Sequence, residues 1–126
     1  MNSTKPKKIF VVDDDPMLTE SLKDYLTREV AHDVSVFHTG EECVKHLAEA
    51  PDAIVLDYYL NTVQKDAANG MQVLQTIKKH HPLMQVIMLS SQENYSIALR
   101  TIAGGALQYV TKDENAFEKI ASMIND

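Results

Sequence analysis

The stretch PDAIVLDYYLN, residues 51–61, runs from an apolar segment directly into the carboxylate of Asp57. Residues 53–56 form the short apolar run that is typical of a buried strand. A charge at the end of a buried strand costs free energy unless other groups compensate for it. The stretch therefore predicts a strand whose neighbouring residue, Asp57, meets partners that come from other parts of the chain.

Length and charge narrow the class of protein. The chain has 126 residues, which suits one domain with one core, and its 12 basic and 18 acidic side chains give a formal net charge of -6. Because phosphate backbones are bound by clustered Lys and Arg, we expect no direct nucleic-acid binding. No apolar segment approaches the length of a membrane span, so we expect a cytoplasmic protein that makes no membrane contact. Cys43 is the single cysteine and is expected to be at least half-buried.

Strand-like and helix-like segments alternate along the chain after a polar leader, residues 1–7. The pattern predicts strands near residues 8–12, 33–37, 53–56, 84–89 and 106–110, and helices within residues 15–30, 39–50, 70–81, 91–103 and 114–124. Five strands that alternate with five helices predict an α/β fold, a parallel sheet with helices on both faces. We assign residues 8–126 to this one domain.

Local signals predict where several helices begin and end. Asp15 and Thr39 are candidate N-caps, since each precedes a helical pattern. Gly104 and Gly105 suit the end of the fourth helix, because glycine adopts the left-handed conformation readily. Residues 61–69, NTVQKDAAN, are polar and without a period, which predicts a loop.

Polar residues follow four of the predicted strands. They are Asp13, Asp14 and Asp15 after the first strand, Asp57 after the third, Ser90 and Ser91 after the fourth, and Thr111 and Lys112 after the fifth. Parallel strands end at one edge of the sheet, where ligands bind, so we expect these groups to converge. Clustered carboxylates favour a hard divalent cation such as Mg²⁺. A nearby ammonium and a hydroxyl suit the oxygens of a phosphoryl group.

Four motifs carry a family resemblance that covers essentially the whole chain. They are VVDDDP (11–16), AIVLD (53–57), VIMLSS (86–91) and GGALQYVTKD (104–113). Together, in this order and near these spacings, they resemble the receiver domain of two-component response regulators. The resemblance implies a flavodoxin-like (βα)5 fold with strand order 2-1-3-4-5.

The resemblance also implies roles for individual residues of the expected site. Asp57 matches the phosphoacceptor, and Lys112 and Ser90 match the groups that contact its phosphoryl oxygens. Asp13 and Asp14, together with Asp57 and the backbone carbonyl of Tyr59, match the ligands of Mg²⁺ or Mn²⁺.

A switch and its readout are implied in the same way. Ser90 and Tyr109 match the pair that rearranges after phosphorylation, and Tyr59 and Gln92 match positions that influence how long the phosphate survives. The fourth helix and fifth strand match the family's signalling face, for which the candidates on the helix are Ile97, Ala98, Arg100 and Thr101.

The function implied is a phosphorylation-dependent signalling switch rather than a metabolic enzyme. A histidine kinase, a phosphotransfer protein or a small acyl phosphate would supply the phosphoryl group, and the domain would catalyse only its own phosphorylation and dephosphorylation. An output domain or partner protein would receive the signal. A homodimer through the fourth helix and fifth strand is a further candidate interaction that the resemblance implies.

Three positions depart from the family pattern. Asn61 stands where the family usually has proline, and the segment from Asp57 to Gly70 is longer than usual. Asp113 follows Lys112 where the family often has a proline joined by a cis bond, and a cis bond before a non-proline residue costs about 3–4 kcal/mol.

Two other functions remain alternatives at this stage. One is a degenerate receiver that only binds partners, although such domains usually lose the acceptor or the lysine. The other is an aspartate-nucleophile phosphatase of the haloacid dehalogenase type, with Asp13 as nucleophile and Asp15 as acid/base. Met17 stands where that family usually has Thr or Val, which argues against it. The five histidines show no metal-ligand spacing and are predicted at the surface or its rim: His32, His38, His46, His80 and His81.

Overall fold

A computed structural model describes residues 5–61 and 66–125, and within them strands and helices alternate as predicted. The strands are β1 (Lys8–Val12), β2 (Asp33–Phe37), β3 (Ala53–Asp57), β4 (Gln85–Ser90) and β5 (Gln108–Thr111). The α-helices are α1 (Pro16–Leu26), α2 (Gly40–Lys45), α3 (Gly70–His80), α4 (Tyr95–Ala103) and α5 (Ala116–Ile124). The predicted loop 61–69 includes residues 62–65, which lie outside the described residues.

The five strands form one parallel sheet in the order β2-β1-β3-β4-β5, which confirms the expected topology. The register aligns the ends of the strands, since Val12 pairs with Leu56 and Asp57 pairs with Leu89. Side chains that follow the strands consequently meet at one edge.

The sheet separates two hydrophobic clusters, because successive side chains along each strand point to opposite faces. One cluster packs α2 and α3 against the sheet and contains Phe10, Ile54 and the buried Cys43. The other packs α1 and α5 against the opposite face and contains Ile9 and Val55. Both faces are therefore covered, as the apolar strands predicted.

Capping residues lie where the sequence indicated. The Asp15 side chain accepts a hydrogen bond from the Met17 backbone at the start of α1, and Thr39 accepts one from Glu42 at the start of α2. Gly105 adopts a φ of 107°, a value that side-chain-bearing residues rarely adopt, just after α4 ends. Among the described residues no helix is long and apolar enough to cross a membrane.

The second helix is shorter than predicted. It ends at Lys45, and a separate 3-10 helix, Leu47–Glu49, follows it. The side chain of His46 explains the break, because its Nδ1 lies 2.9 Å from the Glu42 carbonyl oxygen. The His46 backbone N–H bonds Cys43 instead of Glu42, and this tighter spacing ends the α-helix.

The surface prediction is wrong for His32. Its side chain is buried, with only 5% of the residue exposed, and both ring nitrogens have hydrogen-bond partners. His38, His46 and His80 are exposed and His81 is half-buried, as expected for surface or rim residues.

Candidate functional site

Four polar residues from different strands converge at the carboxyl edge of the sheet. Asp13 follows β1, Asp57 and Ser90 end β3 and β4, and Lys112 follows β5. Asp13, Asp57 and Ser90 are almost fully buried, at 1%, 1% and 0% exposure. The convergence that the strand ends predicted is therefore present, and it places two carboxylates in a poorly hydrated position.

Lys112 provides the positive charge of this cluster. Its ammonium nitrogen lies 2.9 Å from Asp13 Oδ2 and 3.5 Å from Asp57 Oδ1. The Lys112 backbone N–H donates to the carbonyl of Ser90 at 2.7 Å, which fixes the start of the side chain. The peptide bond between Lys112 and Asp113 is trans, as are the other described peptide bonds. The lysine thus reaches both carboxylates without the family's cis proline.

Asp57 is destabilised in its charged form. Burial, with a contribution from the Asp13 charge, raises the pKa of Asp57 to about 7, although the Lys112 ammonium and the Tyr59 backbone N–H partly offset these effects. Asp57 Oδ1 accepts from that N–H at 3.2 Å, whereas Oδ2 has no hydrogen-bond partner among the described residues. One oxygen of a buried carboxylate is therefore left without compensation.

Three carboxylates are close enough to share a cation. Asp13, Asp14 and Asp57 each offer one oxygen, and these oxygens lie within 4.8 Å of one another. Carboxylate oxygens at this separation fit a hard divalent ion such as Mg²⁺. Asp15 does not belong to this group, because its side chain caps α1 as the sequence suggested.

The start of α3 packs directly behind Asp57. A Cβ atom on Gly70 would lie 2.4 Å from the Asp57 carbonyl oxygen, so this close approach requires glycine. The Gly70 N–H donates to Tyr58 O at 2.8 Å, and Asn69 and Gln72 form a reciprocal capping box. The sequence analysis missed this contact. The Asn-Gly-x-Gln spacing is a helix-start signal, and it predicts the start of α3 at Gly70.

Gln92 connects three residues of the candidate site. Its backbone N–H donates to Ser90 Oγ at 3.2 Å, and its backbone carbonyl accepts from the Tyr109 hydroxyl at 2.6 Å. Its side-chain oxygen accepts from the Tyr59 hydroxyl at 3.2 Å. The sequence pointed to Gln92 but gave no sign that it joins these three partners.

The candidate signalling residues on α4 divide into two groups. Ile97 and Thr101 are buried, so they pack inside the molecule and are not available to a partner in this conformation. Ala98 is half-buried and Arg100 is exposed. The large apolar side chains that α4 exposes lie about one turn apart and are Tyr95, Leu99 and Ile102.

Comparison with known proteins now identifies the family. The family model described as the response regulator receiver domain matches residues 9–125. This chain is a receiver domain. Receiver domains are generally signalling proteins rather than enzymes, and they generally bind Mg²⁺ at an acidic pocket. Among its described residues this receiver domain has one such cluster of acidic side chains, Asp13, Asp14 and Asp57.

Curated relatives agree with this assignment. The protein named "Probable C4-dicarboxylate response regulator DctR" from Bacillus subtilis is 33% identical over 112 residues, which cover 86% of this chain and 46% of that protein. The transcriptional regulatory protein CpxR of Escherichia coli is 32% identical over 90% of this chain and 46% of its own length. The chain thus spans less than half the length of these relatives.

Solved structures agree as well. The structure named "BeF3 Activated DrrB Receiver Domain" has a TM-score of 0.81 and 29% identity, and the match covers 94% of each chain. A structure of DrrB described as a Thermotoga maritima OmpR/PhoB homolog has a TM-score of 0.78 and the same identity, over 93% of this chain and 50% of that one.

Proposed function

We propose that this receiver domain is a phosphorylation-dependent switch that accepts a phosphoryl group on Asp57. The observation that supports the proposal best is the unsatisfied Oδ2 of Asp57, buried beside the Lys112 ammonium and two further carboxylates. An uncompensated buried carboxylate costs stability, so its presence at a ligand-binding edge favours a functional reason.

The proposed reaction transfers a phosphoryl group from the donor to the Asp57 carboxylate. A carboxylate oxygen of Asp57 forms a bond to phosphorus, and the bond from phosphorus to the imidazole nitrogen or acyl oxygen of the donor breaks with its electron pair. Lys112, which is 3.5 Å from Asp57 Oδ1, supplies positive charge to the phosphoryl oxygens. Asp13, Asp14, Asp57 and the carbonyl of Tyr59 would hold Mg²⁺ or Mn²⁺. When bound, that ion supplies the charge that keeps the Asp57 carboxylate ionised near neutral pH.

The switch follows from the bonds of Gln92. When Ser90 Oγ turns toward a phosphoryl oxygen, it leaves the Gln92 backbone N–H, and the Gln92 carbonyl that holds Tyr109 is free to shift. The change reaches α4 and β5, where Tyr95, Leu99 and Ile102 offer an apolar surface to a partner protein, an output domain or a second copy. Phosphorylation acts by shifting the population between the two arrangements.

The lifetime of the phosphoryl group depends on Tyr59. Its hydroxyl bonds the Gln92 side chain, so the ring extends from β3 toward β4 beside the acceptor. In this position the ring hinders the approach of water to the acyl phosphate. In the cell the donor is a histidine kinase or a phosphotransfer protein of the cytoplasm, and the responding unit is residues 8–126.

Intact-mass spectrometry tests this function. The protein is incubated with Mg²⁺ and a small acyl phosphate, and we expect one added phosphate that is absent without Mg²⁺ and in Asp57→Asn. Asp52→Asn is the matched control, because Asp52 is an exposed aspartate just before the start of the same strand. Tyr59→Phe should shorten the decay time of the adduct about fivefold, since one neutral hydrogen bond is worth about 1 kcal/mol. Tyr95→Phe, which alters an exposed tyrosine, should leave the decay time unchanged.

Three results would contradict the proposal. An adduct that maps to Asp13 would make the assignment of the acceptor wrong and favour the phosphatase chemistry. The absence of any adduct, with Mg²⁺ binding intact, would favour a receiver that only binds partners. An unchanged decay time in Tyr59→Phe would show that the bond from the Tyr59 hydroxyl to Gln92 does not control the lifetime.

A further inference from the structure

His32 joins three segments at the amino edge of the sheet, opposite the phosphoacceptor site. It directly precedes β2, and its Nδ1 lies 2.9 Å from the backbone nitrogen of Lys7, next to the start of β1. Its Nε2 lies 2.7 Å from Oδ1 of Asn125, the residue that follows α5. Since these partners are 25 and 93 residues away in the sequence, the imidazole ties together parts of the chain that no local interaction connects.

These contacts require the neutral ring. A backbone N–H can only donate, so Nδ1 of His32 must accept the bond from Lys7 and therefore carries no proton. The one remaining ring proton is then on Nε2, where it is donated to the Asn125 amide oxygen. The hydrogen-bond network thus assigns the tautomer of His32, and the bond from the Lys7 backbone N–H is the one that a doubly protonated ring could not accept.

A second bond reinforces the same junction. The Lys7 ammonium donates to the carbonyl of Ile124, the last residue of α5. The end of α5 is consequently held from two sides, by the Lys7 side chain and by His32 through Asn125. Loss of the His32 bonds would remove a side-chain contact of Asn125 and the partner of the Lys7 backbone N–H together.

Among the described residues, no carboxylate is placed to compensate for an additional proton on His32. Asp33, its neighbour on β2, pairs with Lys8 at 3.0 Å, and no carboxylate of the described residues lies within ion-pair distance of His32. The last described turn of α5, residues 121–125, has no titratable side chain. The charged or titratable groups on the surrounding elements are Lys7 just before β1, Lys8 and Asp33 on the strands, Glu49, which pairs with Lys8, Tyr25, Arg28 and Glu29 in the cleft that Asn125 lines, and Asp52, His80 and His81 in the groove that Lys7 lines.

We propose that His32 is a proton-operated latch that holds the end of α5 against the start of β1. A proton added at Nδ1 would point an N–H group at the N–H of Lys7, and two donors cannot share a hydrogen bond. The ring would have to move, and both the Lys7 and the Asn125 contacts would open. The latch responds to pH without any contribution from Asp57, because the two groups lie at opposite edges of the sheet.

Nuclear magnetic resonance on the intact wild-type chain tests the latch without a variant. At about pH 7.5 the ring nitrogens of His32 should show the tautomer protonated at Nε2. Between about pH 7.5 and pH 5.5, amide exchange of Asn125, whose N–H bonds Ala121 O, should lose about tenfold of its protection after correction for intrinsic rates. A ring protonated at Nδ1 at neutral pH, or equal protection at both pH values, would overturn the proposal.

Two variants separate the latch from general stability. His32→Gln keeps a donor for Asn125, His32→Asn keeps an acceptor for Lys7, and neither side chain titrates. Both should remove the pH dependence of Asn125 exchange, while His80→Gln, which alters an exposed histidine, should leave it unchanged. Asn125→Ala keeps the histidine and should open the latch at every pH. A pH dependence that persists in both His32 variants would assign the effect to another group.

Discussion

The two edges of the sheet bury titratable groups in opposite ways. At the carboxyl edge, Asp57 is 1% exposed and one of its oxygens has no partner among the described residues. At the amino edge, His32 is 5% exposed and both of its nitrogens are bonded. Burial alone therefore does not distinguish a reactive group from a structural one. The difference lies in whether the folded protein completes the hydrogen bonding of the group or leaves it for a ligand.

Protonation should also affect the two edges differently. The pKa of Asp57 is raised from 3.8 to about 7, so the folded state binds more protons than the unfolded state between these values. The stability contributed by that protonation is present below pH 4 and is lost as pH rises toward 7. The two bonds of His32, by contrast, are complete only with a neutral ring. Variants at each edge can isolate these trends.

The largest effect is expected for Lys112→Gln. This change removes the ammonium between two buried carboxylates, and breaking such an arrangement costs about 3 kcal/mol above pH 8. Urea unfolding without Mg²⁺ measures the loss, which should be smaller near pH 5, where Asp57 takes up a proton. Lys119→Gln, an exposed lysine on α5, is the control. Equal losses at both pH values would show that packing, rather than charge, explains the effect.

Asp57→Asn should have a smaller effect of the opposite sign. A pKa displacement from 3.8 to about 7 corresponds to at most about 4 kcal/mol of destabilisation by the charged form. We expect the variant to gain on the order of 2 kcal/mol in the free energy of unfolding at pH 8, and almost nothing at pH 4, because Asn cannot ionise. The same urea titration compares it with Asp52→Asn. A variant less stable than wild type at pH 8 would show that the charged Asp57 carboxylate stabilises the carboxyl edge instead of destabilising it.

Mg²⁺ should produce the smallest of the three effects on the stability of the folded state, and it should act at the carboxyl edge only. A ligand at about five times its dissociation constant stabilises the folded state by about 1 kcal/mol. Thermal unfolding at constant ionic strength should show this gain in wild type and in His32→Gln, and Asp14→Asn should lose most of it. A gain that survives in Asp14→Asn would place the cation away from the three carboxylates.

Local sequence signals were sufficient for the fold and for the location of the site. Apolar runs, caps and turn residues act within a few positions, and the parallel register then brings Asp13, Asp57 and Lys112 to one edge without further information. The burial of His32 could not be predicted in this way, because its partners are distant in the sequence. The break after α2 depends on the rotamer of one side chain, His46, which no periodicity records.

Because Gly70 contacts the backbone of Asp57, the geometry of the site does not depend on the length of the loop that precedes α3. Residues on both sides of residues 62–65 are fastened to fixed elements, since Leu60 is buried in the core and the Ala68 N–H donates to Glu41 at 3.0 Å. Gly70 then docks α3 on the acceptor strand. Insertions and deletions between these anchors would leave the acceptor in place. A peptide tag or sensor inserted between these two anchors is therefore expected to leave the acceptor strand and α3 in register.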